Sequence, residues 1–314
     1  MTESAMDAEV FGAPAWVWAQ LCAAVFAIST AGVAFQQLTN IPPLLLASWR
    51  MQATALLLAV GAVREWRVAS DDLRARWFKT WPRLGFSGAC LGAHFGAWVA
   101  GLQTTTLARS LLLVCTTPLF IAFGALALCL PSSTGELAGA ALGFVGVAMV
   151  ASDRHDGERE RATWQGDTLS LGAAFYIVGY MLVGADVRRW MPLCMYAGPV
   201  TAVAAVCTGL VSYLTEETEH AGGIVGWAFG GVALNFFVTM YLAVVPGLVG
   251  HTGYIAVLKH ISPLVVSTSL TMEPFLGSAL GYVVGLADAP GWRTGLGGVV
   301  IVAAVITVIV STSK

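Results

Sequence analysis

Two histidines occupy matching triplets, His94-Phe95-Gly96 and His251-Thr252-Gly253, 157 positions apart (251 minus 94) in a chain of 314 residues. An imidazole both donates and accepts hydrogen bonds and exchanges a proton near neutral pH. In an apolar stretch, where an ionisable group is costly to hold, such a pair is a candidate contact for a polar solute or a proton. The plainer alternative is that each ring donates to a carbonyl on a neighbouring helix. The glycine two positions later lets another backbone approach closely. Trp98 follows His94 by one helical turn and Tyr254 follows His251 by three residues, so each histidine shares a helix face with an aromatic ring. Tyr176 and Tyr180 repeat the i, i+4 spacing. Aromatic walls suit a flat or zwitterionic solute through stacking or cation–π contact, and they are equally good packing material.

Glu273 is the one acid set well inside an apolar span; Glu136, Asp167 and Asp186 fall at span ends. Wetted alternately from the two sides of a membrane, such a carboxyl carries protons. Its structural alternative is to accept from backbone groups freed by Pro274, with Ser269 as a neighbour. Arg50 is a candidate contact for a substrate carboxylate, or else a side chain that snorkels or meets a helix C-terminus. Arg109 reads as a surface anchor, and Asn235 and Thr239, one turn apart, as hydrogen-bond donors to a solute or to another helix. Arg188-Arg189 and the basic run from Arg64 to Arg83 read as solvated loops. The six cysteines lack CxxC or Cys/His spacing and read as small core residues, so no metal and no cofactor is expected. Glycine motifs such as Gly143 with Gly146, and Gly295 with Gly297 and Gly298, lie in apolar stretches and read as packing surfaces. No short motif suggests an enzyme.

The elements that must hold these groups follow from composition. With 57% hydrophobic residues, 11% charged and a mean hydropathy of +0.76, the chain belongs in a lipid bilayer. A net charge of -2 without basic clusters argues against nucleic acid as a partner. About 20 apolar residues are needed per span. Ten stretches meet that need, near residues 16-35, 43-63, 84-102, 107-130, 135-151, 168-186, 193-213, 231-258, 264-286 and 292-310. Pro246-Gly247 and Gly250 make the eighth a kinked span with an interfacial lead-in.

Downstream of the histidines Pro118 matches Pro274, Gly135 matches Gly291 and Gly139 matches Gly295, each pair 156 apart. The expected organisation is therefore an N-terminal tail (1-15), a first five-helix repeat (16-152), a hydrophilic linker (153-166) and a second five-helix repeat (167-314). Five spans per repeat is an odd number, so the repeats are inverted and His94 should face His251 across the membrane plane. With the N-terminus inside, ten basic residues fall in inside segments and five outside (Arg109, Arg154, Arg159, Arg161, Arg293), which puts both termini in the cytoplasm. Glu216-Glu217-Thr218-Glu219 then faces out. Glu3, Asp7 and Glu9 before the first span make a cleaved signal peptide unexpected.

Three segments carry a family resemblance: Pro42-Pro43 with Arg50 seven positions on, Leu258-Lys259-His260-Ile261-Ser262, and Met272-Glu273-Pro274-Phe275. In this order the chain resembles the drug/metabolite transporter superfamily, in its EamA-type ten-helix branch, over nearly its whole length. Departures are Thr117-Pro118 where the second repeat has Glu273-Pro274, and Arg109 in place of a small residue. The resemblance implies two inverted five-helix repeats whose helices 3 and 8 line a central cavity, with His94 and His251 on them. It implies a secondary active transporter or facilitator of small organic metabolites, amino-acid-like zwitterions above all, acting by alternating access. An exporter of aromatic or cationic drug-like compounds is the alternative, and a non-transporting scaffold or receptor the alternative of another class. The expected partners are a small-molecule substrate and the lipid bilayer of a plasma or inner membrane, or of an organelle, with the protein a monomer or homodimer. No ATP-binding motif accompanies the spans, so transport would be gradient-driven, and the lack of paired basic residues disfavours phosphorylated substrates.

Overall fold

A computed structural model describes residues 9–152, 163–285 and 289–312, and within them the chain is helical apart from one small hairpin. The expected tail as far as residue 8, the linker from 153 to 162, the Ala287 end of the last loop and Lys314 lie outside the described residues. Strands β1 (Glu9–Val10) and β2 (Ala13–Pro14) pair antiparallel across Phe11 and Gly12, both at positive φ as a two-residue hairpin turn requires. The helices are α1 (Ala15–Ser29), α2 (Ala31–Phe35), α3 (Pro43–Val68), α4 (Asp71–Thr104), α5 (Leu107–Val114), α6 (Thr117–Ala127), α7 (Thr134–Ala151) and α8 (Trp164–Val187). There follow α9 (Leu193–Thr215), α10 (Gly226–Phe229), α11 (Ala233–Leu242), a wide π turn (Ala243–Thr252), α12 (Gly253–Val257), α13 (Pro263–Leu270), α14 (Glu273–Val283) and α15 (Trp292–Thr312).

Eight of these segments are long and apolar enough to cross a membrane: residues 15–35, α3, 109–127, α7, α8, α9, 233–257 and α15. The protein is an integral, multi-pass, all-α membrane protein. Two further expected spans, in α4 and in α13 with α14, are helical but outside that apolar set. They are the ones that carry His94 and Glu273.

Most boundaries have a local cause. Ser70, Thr106, Thr163 and Ser262 each accept a backbone N–H of the first turn they precede, and Ser133 with Glu136 forms a capping box. Helices α3 and α9 start at prolines and receive their caps from afar. The Glu216 carboxylate accepts the N–H groups of Leu44 and Leu45, both at 2.9 Å, and the Ser212 hydroxyl at 2.7 Å. Glu65 accepts the N–H of Met195 at 2.7 Å. The C-terminal end of each helix therefore caps the N-terminal end of the other, which fixes the pair antiparallel.

Three spans are interrupted. Helix α5 stops at Val114 and α6 resumes at Thr117; α13 stops at Leu270 and α14 resumes at Glu273. In both the second half has proline at its second position, Pro118 and Pro274, where no N–H is needed. Pro246 lies in the π turn, whose wider spacing accommodates a residue without an N–H, so the expected kink is a helix defect.

Helices α7 and α15 pack closely together, as do α3 with α9 and α4 with α8. Between α7 and α15 a Cβ on Gly146 would stand 2.9 Å from the Gly297 carbonyl, and one on Gly297 2.7 Å from the Gly146 carbonyl, so the backbones touch where the sequence reading put a packing surface. Helix α8 runs antiparallel to α4: Thr163 Oγ1 donates to the Thr104 carbonyl at one end and Arg83 pairs with Asp186 at the other.

Several expectations are corrected. The basic run from Arg64 to Arg83 is no loop, because α3 continues to Val68 and α4 begins at Asp71, leaving only two residues between them. Arg188 is buried and donates to the Met191 carbonyl, closing the turn after α8 instead of standing in solvent. Helix α8 begins at Trp164, inside the expected linker. Of the cysteines only Cys115 is buried, while Cys22 is exposed on α1 and Cys129 is exposed in the turn that follows α6.

Candidate functional site

Midway along the bundle, helices α1 to α6, α8, the π turn and α12 to α14 surround a cavity of about 50 Å³, enough for a few water molecules. Arg50, His94, Trp98, His251, Tyr254 and Glu273 all line it. Six of the eight residues selected from the sequence thus converge, from α3, α4, the π turn, α12 and α14. Their neighbours are apolar or small: Ile28, Ala31, Val114, Cys115, Ile177, Met181 and Leu270, with Thr117, Ser267 and Thr271.

Arg50 is the unusual member. It is 2% exposed, and neither of its terminal nitrogens has a hydrogen-bond partner. Its guanidinium carbon stands 4.2 Å from the Phe95 ring centroid and 5.8 Å from that of Phe35. Two π faces offset part of the cost of burying the cation, and its five N–H donors remain largely unspent. Glu273 opens α14 and lines the same cavity, yet its carboxylate accepts no hydrogen bond from any described residue. The ion pairs among the described residues join Arg74 to Asp71, Arg83 to Asp186 and Arg109 to Asp167, so Arg50 and Glu273 share a cavity without direct contact. A cation and an anion held apart in a space of low polarity attract a solute that carries both charges.

The two histidines meet, with ring centroids 6.2 Å apart. His94 Nδ1 lies 2.9 Å from the Ala173 carbonyl and, since a carbonyl only accepts, must donate to it. The plainer reading of this residue is therefore realised, and Nε2 remains as an acceptor. His251 Nδ1 is 3.0 Å from the Tyr254 hydroxyl, on its own helix. Phe95 packs beside both imidazoles, its ring 5.0 Å from His94 and 4.8 Å from His251. Trp98 stands edge-on to Phe35 at 5.5 Å, and its buried Nε1 has no partner.

Two selected residues are elsewhere. Tyr180 lies one layer back, stacked on Tyr196 at 6.4 Å and edge-on to Tyr254 at 6.3 Å. Tyr176 is 41% exposed beside Phe175 and faces away from the cavity, because α8 is apolar on nearly all sides and its tyrosine spacing did not mark the inner face. Asn235 and Thr239 are buried outside the cavity lining, and Ser269 donates to the Val265 carbonyl, not to Glu273. Arg109 is no lone anchor: its guanidinium makes a two-pronged pair with Asp167 of α8.

Sequence reasoning missed Phe35 and Phe95 as the platform under Arg50. Phe95 sits inside the histidine triplet itself, one residue from His94, and the triplet spacing drew attention past it. Thr117, at the hinge matching Glu273, was noticed only as a departure, yet both line the cavity.

No family model and no curated protein matches this sequence. The fold has relatives among solved structures, with 29 matching chains. One crystal structure superposes with a TM-score of 0.72 over 93% of this chain and 96% of the other, at 18% identity. That likeness is one of fold alone.

Proposed function

We propose that this protein is a secondary transporter or facilitator of small zwitterionic organic metabolites, with amino acids as the leading class, and that it belongs with the EamA-type drug/metabolite transporters. The observation that carries the proposal is the buried cavity at mid-bundle where the unpartnered Arg50 guanidinium and the unbonded Glu273 carboxylate face a common space. Arg50 would take the substrate carboxylate in a forked pair and Glu273 the amino group, with Trp98, Tyr254 and Phe95 as walls. His94 and His251, with Glu273, are the groups able to pass a proton.

On this reading α4 and α13 with α14 are the third and ninth of ten spans, their hydropathy lowered by the groups they carry. The reciprocal caps between α3 and α9 support two inverted five-helix repeats, since a two-fold exchange makes each helix cap the other. So do the paired hinges at Pro118 and Pro274 and the meeting of His94 with His251. Broken spans at mid-bundle are also what alternating access uses. Basic residues favour both termini in the cytoplasm.

The test is proteoliposome uptake beside a thermal-shift screen of purified protein against amino acids, nucleosides and organic cations. Amino acids should stabilise the protein and be taken up, and Arg50→Ala should abolish both. Stabilisation by organic cations alone, undiminished in Arg50→Ala and lost in Glu273→Gln, would instead select the exporter of cationic compounds. Uptake unchanged by pH and by Glu273→Gln would remove the proton from the mechanism.

A further inference from the structure

We propose that the cavity is closed at its two ends by unlike devices, a polar clasp of Arg109, Thr105 and Asp167 and an aromatic contact of Trp16 with His260, and that these decide which face the cavity reaches. The proposal rests on the transport reading. Helix α8 serves as the ruler. Asp167 stands in its first turn and Arg188 just past its last, 21 residues and therefore about 32 Å apart, close to the ~30 Å of a hydrocarbon core. Ile177 and Met181, which line the cavity, lie between them.

At the Asp167 end the carboxylate accepts Arg109 Nε at 3.0 Å, a second Arg109 nitrogen, and the Thr105 hydroxyl at 2.8 Å. Beside it Thr163 Oγ1 donates to the Thr104 carbonyl at 2.5 Å. At the Arg188 end Ile255 and Leu258 lie over Gly184, which brings the following His260 there. The His260 ring meets Trp16 edge-on, with centroids 5.0 Å apart and planes at 84°. Trp18 Nε1 donates to the Val10 carbonyl at 2.7 Å and holds the β1–β2 hairpin against the start of α1.

Each contact ties a residue before the linker to one after it: Thr105 and Arg109 to Asp167, and Trp16 to His260. Parting the two halves of the chain at one end breaks one contact and leaves the other whole. The chemistry differs as well. The clasp is ionic, half-exposed and open to competition by water, whereas the opposite contact is a ring edge on a ring face. Removing either should open its own end only.

Cys115 provides the readout, because it lines the cavity and is buried. With Cys22, Cys90, Cys129, Cys194 and Cys207 replaced by serine, a membrane-impermeant charged methanethiosulfonate is applied to vesicles of each orientation and Cys115 labelling is timed. Asp167→Asn should raise the rate about fivefold, the factor that ~1 kcal/mol for such a pair gives, from the Asp167 face only. Trp16→Ala should raise it from the other face only. The exchange Arg109→Asp with Asp167→Arg keeps the attraction and should restore slow labelling, and Thr105→Val serves as a milder variant if Asp167→Asn does not fold. Unchanged rates, or equal rises from both faces, would overturn the proposal. Face-specific labelling in a protein that takes up no amino acid would keep the two closures and remove the transport reading. Uptake with labelling indifferent to every variant would do the reverse.

Discussion

The α3–α9 pair and the central cavity use the same side-chain chemistry to opposite ends. At the pair, Glu216 accepts two backbone N–H groups and a hydroxyl, and Glu65 accepts one N–H, so each carboxylate meets a helix N-terminus where negative charge is stabilising. In the cavity Glu273 accepts nothing and Arg50 leaves both terminal nitrogens unbonded. A charge whose bonds are filled holds the fold. One left unfilled in the interior lowers stability, and on the reading proposed above a zwitterionic ligand would fill it.

The contrast breaks most easily at Glu216. Glu216→Ala strips three acceptor bonds from donors in a part-buried place and should cost about 3 kcal/mol, seen as a lower melting temperature in detergent. On the transport reading proposed above, uptake by the surviving folded fraction should keep its substrate preference. Loss of preference with unchanged melting would invert the assignment of roles.

Next in size is the cavity pair. Glu273→Gln leaves a buried guanidinium that cannot shed its proton, so it should destabilise the protein by about 2 kcal/mol. Arg50→Met leaves a carboxyl, which can take up a proton, and should cost less. The double variant should be about as stable as the parent, because an ion pair replaced on both sides is often neutral. Additive losses in this double-mutant cycle would mean that the two charges do not compensate one another.

Much of this was legible in the chain because it repeats at short range. Eight of the expected spans, the matched prolines Pro118 and Pro274 and the meeting of the two histidines follow from apolar run length or from the 156–157 offset. Contacts set by folding were not legible. Nothing in the sequence links Glu216 to Leu44, 172 positions away, or Arg109 to Asp167, 58 away. The inner face of α8 was misread for a related reason: in a bilayer the outer face is apolar too, so periodicity ceases to separate Tyr180 from Tyr176. Arg188 and Arg109 were misjudged because positive charge near a span end reads as solvated until a carbonyl or carboxylate is seen beside it.

The smallest effect sharpens the comparison most. Glu65→Ala removes a single cap bond from Met195 and should cost about 1 kcal/mol, less than Glu216→Ala because one donor is orphaned instead of three. Met195 and Glu216 lie 21 residues apart on one helical course, about 32 Å, too far for their caps to share partners. The two losses should therefore add, giving about 4 kcal/mol in the double variant, while those of Arg50 and Glu273 cancel. Additivity at the caps and cancellation in the cavity, measured by melting in the same detergent, would separate charges that hold the bundle from charges kept for a ligand. Strong coupling between the two caps would mean instead that α3 and α9 come apart as one unit, with the two caps acting as a single cooperative device.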